Sequence, residues 1–211
     1  MIRIGRVAAF VAFAVLAAAC AAQAPGASAS APAPGASAQL PLGRPLAGTV
    51  PVGGIVLRNP GFELPFPAGG RCPPGWGCSA HAGPDTFRFF YDESHPAQGR
   101  ASGCIEPVAH EPWAKLVQGH GSIQALRGKR IRLSALVRLQ DVAGGAGLVA
   151  IAQGGSGNNV ASRKALQKGT TDWRPMQVEL EVPPSAFVLE LGLVLEGTGR
   201  ACMDEVRLEV L

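Results

Sequence analysis

The chain has 211 residues with 19 Lys and Arg against 15 Asp and Glu, a formal charge of +4. Arg3 and Arg6 belong to an N-terminal leader; without them 17 basic residues face 15 acidic ones, and no Lys/Arg block of five or more occurs. Nucleic acid is therefore excluded as the expected partner.

The first segment, MIRIGRVAAFVAFAVLAAAC, carries two arginines and then an uncharged apolar run from Val7 to Ala19. That run is short of the roughly 20 residues a membrane span needs and suits the core of a signal peptide over 1–19. Ala17, Ala18 and Ala19 lead into Cys20, which resembles the lipobox of bacterial lipoproteins, although Leu16 stands one place too early. The resemblance implies lipidation at Cys20, export, and attachment to the outer membrane; an ordinary secretory signal is the alternative. Residues 20–49 are almost wholly Ala, Pro, Gly and Ser, and cannot bury enough apolar surface to fold, so a flexible tether is expected.

Residues 50–211 form one domain of about 160 residues, large enough for a core. Its period is two. RIRLSALVRL alternates Ile131, Leu133, Ala135, Val137 and Leu139 against Arg132, Ser134, Leu136 and Arg138. Similar alternation runs through Met176–Val182, Phe187–Gly197 and Gly199–Leu211, and shorter strands are expected at Ile55–Arg58, Thr86–Tyr91, Ala101–Glu106, Trp113–Gln118 and Gly147–Gln153. Asn159–Leu166 would make at most two helical turns. Gly, Pro and Asn clusters separate the runs, and the predicted fold is an all-β antiparallel sandwich of jelly-roll type.

Four cysteines remain: Cys72, Cys78, Cys104 and Cys202. An even count in an exported domain reads as two disulfides, with three possible pairings. The turn-rich PPGWG between Cys72 and Cys78 can bring those two together, leaving Cys104 to meet Cys202. Zinc is the rival reading, but Cys-x5-Cys is poor spacing for it.

In the last strand, Cys202, Asp204, Val206, Leu208 and Val210 share the apolar face, so Asp204 is a carboxylate in a core-facing row and requires a partner. The order of NPGFE at Asn59–Glu63, PPGW at Pro73–Trp76, HPAQGRASGCIEP at His95–Pro107, WAKLVQ, LRGKRIRLSALVR, GTTDW and GTGRACMDEVRLE resembles galactose-binding-like jelly rolls. The similarity is greatest to carbohydrate-binding modules of families 4, 9 and 22, and it spans nearly all of 52–211. It implies a structural calcium held by Glu63 and Asp204; the alternative is that backbone N–H groups or an arginine satisfy Asp204.

It also implies a noncatalytic glycan-binding cleft. Aromatics are few, at three Trp, one Tyr and eight Phe. Trp113 and Tyr91 are the stacking candidates, with Arg132 and Arg138 as hydroxyl or carboxylate binders. Trp76 and Trp173 read as packing residues. No hydrolase, metalloprotease or phosphate-loop motif occurs, and DESH at Asp92–His95 is too tight a turn to aim three groups at one atom. The alternative function is a module docking an envelope protein, which a flat apolar patch around Leu136 would favour.

Overall fold

The computed structural model describes residues 51–211. The leader over 1–19, Cys20 and the tether to residue 49 lie outside the described residues. Eight strands run in chain order: β1 (Gly77–Ala80), β2 (Phe87–Asp92), β3 (Ser102–Pro107), β4 (Trp113–His120), β5 (Arg130–Gln153), β6 (Asn159–Glu181), β7 (Val188–Glu196) and β8 (Arg200–Val210). Every pairing is antiparallel.

The long hairpin of β5 and β6 organises the domain. Residues 131–140 of β5 pair with β8, whereas 145–153 pair with β7, and register shifts lie between the halves. One end of the hairpin thus belongs to a sheet ordered β6-β5-β8-β3-β2, the other to β6-β5-β7-β4-β1. Bulges bend strands in this way, and two sheets then close over one core. Ile131, Leu133, Val137 and Leu139 from the first sheet meet Leu116, Leu189, Leu191 and Leu193 from the second in a single buried cluster. The domain is an antiparallel β-sandwich.

Three elements differ from expectation. Asn159–Leu166 is strand and not the two helical turns expected at most, because pairing with β5 outweighs the helical propensity of Arg163, Lys164, Ala165 and Leu166. Ile55–Arg58 is not a strand. It makes one bridge, Val52 to Ile55, and its backbone is held instead by the buried Gln118 side chain, whose Oε1 accepts from Arg58 N (2.9 Å) and whose Nε2 donates to Arg58 O (2.6 Å). Phe187 falls outside β7 and lies 53% exposed under the Arg127 guanidinium.

The fourth difference corrects the reading of β8. Ala201 and Met203 join the core, and so do Val206 and Leu208. The alternation changes phase at Glu205, whose φ of 53° marks a bulge between the pairs Ser134–Arg207 and Leu136–Asp204. Cys202 and Asp204 therefore point away from the core, beside Arg138 and Leu136 on the outer face.

Candidate functional site

Asp204 is nonetheless wholly buried, because the segment between β2 and β3 covers it. Its Oδ2 accepts from Ala97 N (3.1 Å) and Gln98 N (3.0 Å), and its Oδ1 from Glu205 N (2.8 Å). Both oxygens of Glu63 accept from Arg100 N, at 2.9 and 3.1 Å. The two acids thus clamp one loop. Burial pushes the Asp204 carboxyl up to about 7 against these bonds, and the neighbouring Glu205 adds to the rise.

A third acid joins them. At the open Cβ position of Gly61, Glu205 Oε1 stands 3.4 Å away, Glu63 Cγ 3.8 Å and Asp204 Oδ1 3.9 Å. Only two carboxylate oxygens, from Glu205 and Asp204, approach this place; Glu63 meets it with its Cγ and turns both oxygens to Arg100 N, so the expected pair of Glu63 and Asp204 does not gather oxygens round one point. Glu205 escaped the sequence reading because strict alternation points it outward; only the bulge turns it toward Gly61.

Both disulfides form: Cys72 with Cys78, Cα atoms 5.8 Å apart, and Cys104 with Cys202, 4.1 Å apart. The second joins directly opposed residues of β3 and β8. Next to it Arg138 pairs with Asp92, their side chains only 18% and 10% exposed. Burial alone would raise the Asp92 pKa; bonds from the Ser94 hydroxyl (2.6 Å), Arg138 and Ser94 N (3.0 Å) leave it below the ordinary carboxylate range. His95 turns elsewhere, toward Asp172 at 3.9 Å, so DESH assembles no acid, nucleophile and base around one point.

The outer face of β5, β6 and β8 carries an open groove of about 530 Å³, lined by Arg132, Ser134, Leu136, Gln177, Glu205 and Arg207 among others. Its arginines are held by acids: Arg132 by Glu179 (2.6 Å) and Glu209 (3.7 Å), Arg207 by Glu205 (3.3 Å). Guanidinium donors and carboxylate acceptors therefore alternate along the groove at fixed positions. Leu136 pairs with Pro175, and at that end Trp173 lies half-buried over Arg138, 5.3 Å from ring centre to guanidinium carbon. The indole Nε1 donates to His95 O (3.1 Å), tying the ring to the clamped loop.

The four expected ligand residues do not converge. Arg132 and Arg138 share this face. Trp113 lies on the opposite one: Ala114 and Leu116 enter the core, so Trp113 and Lys115 of β4 point out from the second sheet. Tyr91 packs against the core, edge-on to Phe62 and Phe66, and its hydroxyl accepts from Asn59 Nδ2 (2.9 Å). Burial raises its pKa. Trp173, read from GTTDW as packing, covers Arg138 on the same face, two residues along β6 from the groove-lining Pro175 and outside the lining itself.

The fold is a jelly-roll β-sandwich, and the groove across one of its sheets sets arginine and carboxylate groups beside an apolar strip of Leu136, Pro175 and Met176. Solved structures of this form include the CBM22-1 xylan-binding domain of Paenibacillus barcinonensis Xyn10C (TM-score 0.51, 18% identity, 71% of this chain and 90% of that one). A CBM4 module also matches (0.50, 16%, 74% and 99%). The enzymatically active domain of bacteriophage CBA120 tailspike protein 4 matches too (0.54, 14%, 73%), although this chain covers only 21% of it. At these identities the likeness establishes the fold, and it includes families 4 and 22 of the resemblance. No protein-family model matches the chain. Among curated proteins it is 28% identical over 142 residues to the uncharacterized HTH-type transcriptional regulator YbfP of Bacillus subtilis (strain 168), 64% of this chain and 47% of that protein. The chain thus spans about half the length of the curated relative it matches. The described residues contain two three-residue 3-10 turns and no α-helix, so they hold no helix-turn-helix.

Proposed function

We propose that the domain is a noncatalytic glycan-binding module that holds a polysaccharide in the groove of the β6-β5-β8 sheet. The observation that carries this reading is the groove itself: fork-shaped donors and carboxylate acceptors fixed side by side, with a tryptophan at one end. Sugar hydroxyls are donors and acceptors at once, and sugar rings stack on indole faces. The groove arginines are neutralised by Glu179, Glu205 and Glu209, so hydroxyl recognition is favoured over capture of an acid. Binding of xylan by one solved neighbour supports the same class of ligand. The protein-docking alternative keeps one observation, a short apolar strip of Leu136, Pro175 and Met176 in the same groove, but Leu136 is half-buried, Met176 is buried, and the strip is hemmed by the Arg132, Glu205 and Arg207 side chains.

Two further assignments accompany it. A structural calcium on Glu63 and Asp204 would require the Glu63 carboxylate to leave Arg100 N, and is checked by a calcium-dependent rise in melting temperature that Glu63→Gln removes. A lipid on Cys20 would place the module at the outer membrane, checked by incorporation of labelled palmitate that Cys20→Ser abolishes.

The binding test is retention of the full chain in gels containing soluble xylan, mixed-linkage β-glucan or galactan, alongside pull-down on insoluble peptidoglycan. Trp173→Ala should weaken binding by about tenfold, the worth of one stacked ring, without lowering the melting temperature by more than a few degrees. Folded protein that none of these materials retains would refute the glycan reading.

A further inference from the structure

A β-sandwich has unpaired strands at its margins, and natural folds blunt them, because a bare row of N–H and C=O groups recruits another chain. Among the described strands β1, β6 and β2 lie at margins. β1 is blunted by its length of 4 residues, and β6 by Pro175 and the register shifts along its ladder. β2 ends the first sheet and has none of these devices. Its run FRFFYD holds no Gly, Pro or Lys and pairs with β3 from Phe87 to Asp92 without a shift. No other described strand covers its outer edge.

The ladder fixes which groups this edge presents. Thr86 O accepts from Val108 N (2.9 Å), and Pro107, which has no N–H, stands opposite Phe87. Alternation then turns the N–H and C=O groups of Arg88, Phe90 and Asp92 toward β3, and those of Phe89 and Tyr91 outward. Apolar surface borders the same edge. Leu64 is 52% exposed, and Phe66 lies edge-on to Tyr91 with 5.0 Å between centres. An open recess of about 300 Å³ is lined by Phe66, Phe90, Tyr91 and Glu93. The strand also changes sign along its length, from Arg88 at one end to Asp92 and Glu93 at the other.

We infer that the free edge of β2 is the interface of a two-fold dimer, its occupant the antiparallel β2 of a second copy of this chain. With the axis at Phe90, Phe89 of each copy exchanges both main-chain bonds with Tyr91 of the other. The same axis sets Arg88 opposite Asp92, and Phe90 against its own copy on the outer face. An axis at Phe89 would instead oppose Asp85 and Glu93, two carboxylates. A foreign strand could make the same main-chain bonds, but the unlike ends of β2 make its own copy the matching partner. The axis runs through the sheet, so both outer faces stay on one side and the two arginine-lined grooves open the same way. On the glycan reading, on which this consequence alone rests, one dimer holds a polysaccharide layer at two points with the avidity of a linked pair.

The test is sedimentation of the full chain from about 1 to about 200 μM, in a non-ionic detergent that takes up the Val7–Ala19 run, with NMR amide exchange alongside. The wild type should pass from monomer to dimer. The amides of Phe89 and Tyr91 should gain at least about tenfold protection at the higher concentration, while that of Phe90, bonded within the monomer, changes little. Phe90→Glu sets like charges opposite each other at the axis, yet places the new carboxylate beside Arg88 and Arg200 of its own chain. It should keep its melting temperature and raise the dimer Kd at least about tenfold. Phe90→Lys should dissociate likewise, and an equimolar mixture of the two variants should restore the dimer. A wild type that stays monomeric throughout overturns the inference. So does a dimer in which the Phe89 and Tyr91 amides exchange as fast as in dilute protein, which places the contact elsewhere. A mixture of folded variants that stays monomeric overturns the axis at Phe90. Should either variant fail to fold, the exchange comparison on the wild type decides alone.

Discussion

Replacing Arg138 by Met tests whether the Asp92 pair is a buried ion pair or a solvated one. The two side chains are 18% and 10% exposed, with the Cys104–Cys202 bridge on one side and the Trp173 ring over the guanidinium. Removing one partner of such a pair leaves an uncompensated charge and costs about 3–5 kcal/mol. The bonds from Ser94 should keep the loss toward the lower end, since they still satisfy one carboxylate oxygen. Asp92→Asn combined with Arg138→Met removes both charges and should recover most of the loss, giving a coupling of about 2–3 kcal/mol in a double-mutant cycle.

The pH dependence carries a sign. In the native protein Asp92 titrates below its unfolded value, so the contribution of the pair is complete above the ordinary carboxylate range and fades as pH falls through the depressed value. In Arg138→Met the guanidinium no longer opposes burial and only the Ser94 bonds do, so the Asp92 pKa rises from its native position and protonation relieves the variant sooner as pH falls. Urea unfolding at pH 7 and pH 4, with unchanged m-values, measures both effects. A loss under about 1 kcal/mol at pH 7, or a gap between native and variant that does not narrow at pH 4, would refute the buried-pair argument.

Asp204 should show the opposite trend. Its folded value near 7 lies above the unfolded one, so in EDTA its contribution is greatest in acid and is lost as pH rises through 7; stability at pH 5 should exceed that at pH 8 by about 2–3 kcal/mol, and Asp204→Asn should remove that difference. Gly99→Ala should destabilise by about 1–3 kcal/mol, because φ is 63° and the new methyl collides with the Glu63 carboxylate that holds Arg100 N, whereas Gly157→Ala, equally left-handed but in open space, should cost only about 1 kcal/mol by thermal melting. Cys104→Ser with Cys202→Ser opens a link across 98 residues and should cost about 5 kcal/mol on chain-entropy grounds; Cys72→Ser with Cys78→Ser opens one of only 6 and should cost about 2 kcal/mol, both read from urea midpoints.

Strand alternation was readable where one face is apolar over many residues, as in 130–139 and 188–196, and it correctly turned Arg132 and Arg138 outward. It could not say which sheet a strand joins. Trp113 and Arg132 both point away from the core, but β4 pairs with β1 and β7 while the first half of β5 pairs with β8, which puts them on opposite outer faces. That separation depends on β5 bending between Leu139 and Ala146, where GGAG was legible only as a turn-like interruption. Trp173 was likewise visible as a residue and invisible as a site. Its place over Arg138 follows from register shifts in the β5–β6 ladder, and an edge strand carrying Pro175 gives no periodic cue to them.

The bulge at Glu205 resolves the carboxylate in the apolar row, and it does so by moving the row. Side-chain direction along a strand has period two, so one extra residue sends everything before it to the other face. A regular β8 would pair its apolar half, Val206 and Leu208, with a first half that drives Asp204 into hydrocarbon and Met203 into solvent. Admitting Glu205 at a φ of 53°, a conformation unfavourable for a residue with a Cβ, keeps Met203 and Val206 both in the core and releases Asp204 to the outside. No glycine announces this turn, so nothing local in DEVRLE predicts it. The same slip sets Cys202 beside Arg138 and Asp204 beside Leu136, and it turns the Glu205 side chain back toward Gly61. One strained residue thus establishes the Asp204 hold on Ala97 and Gln98 and the floor of the arginine-lined groove, which accounts for a backbone conformation that would otherwise only weaken the strand.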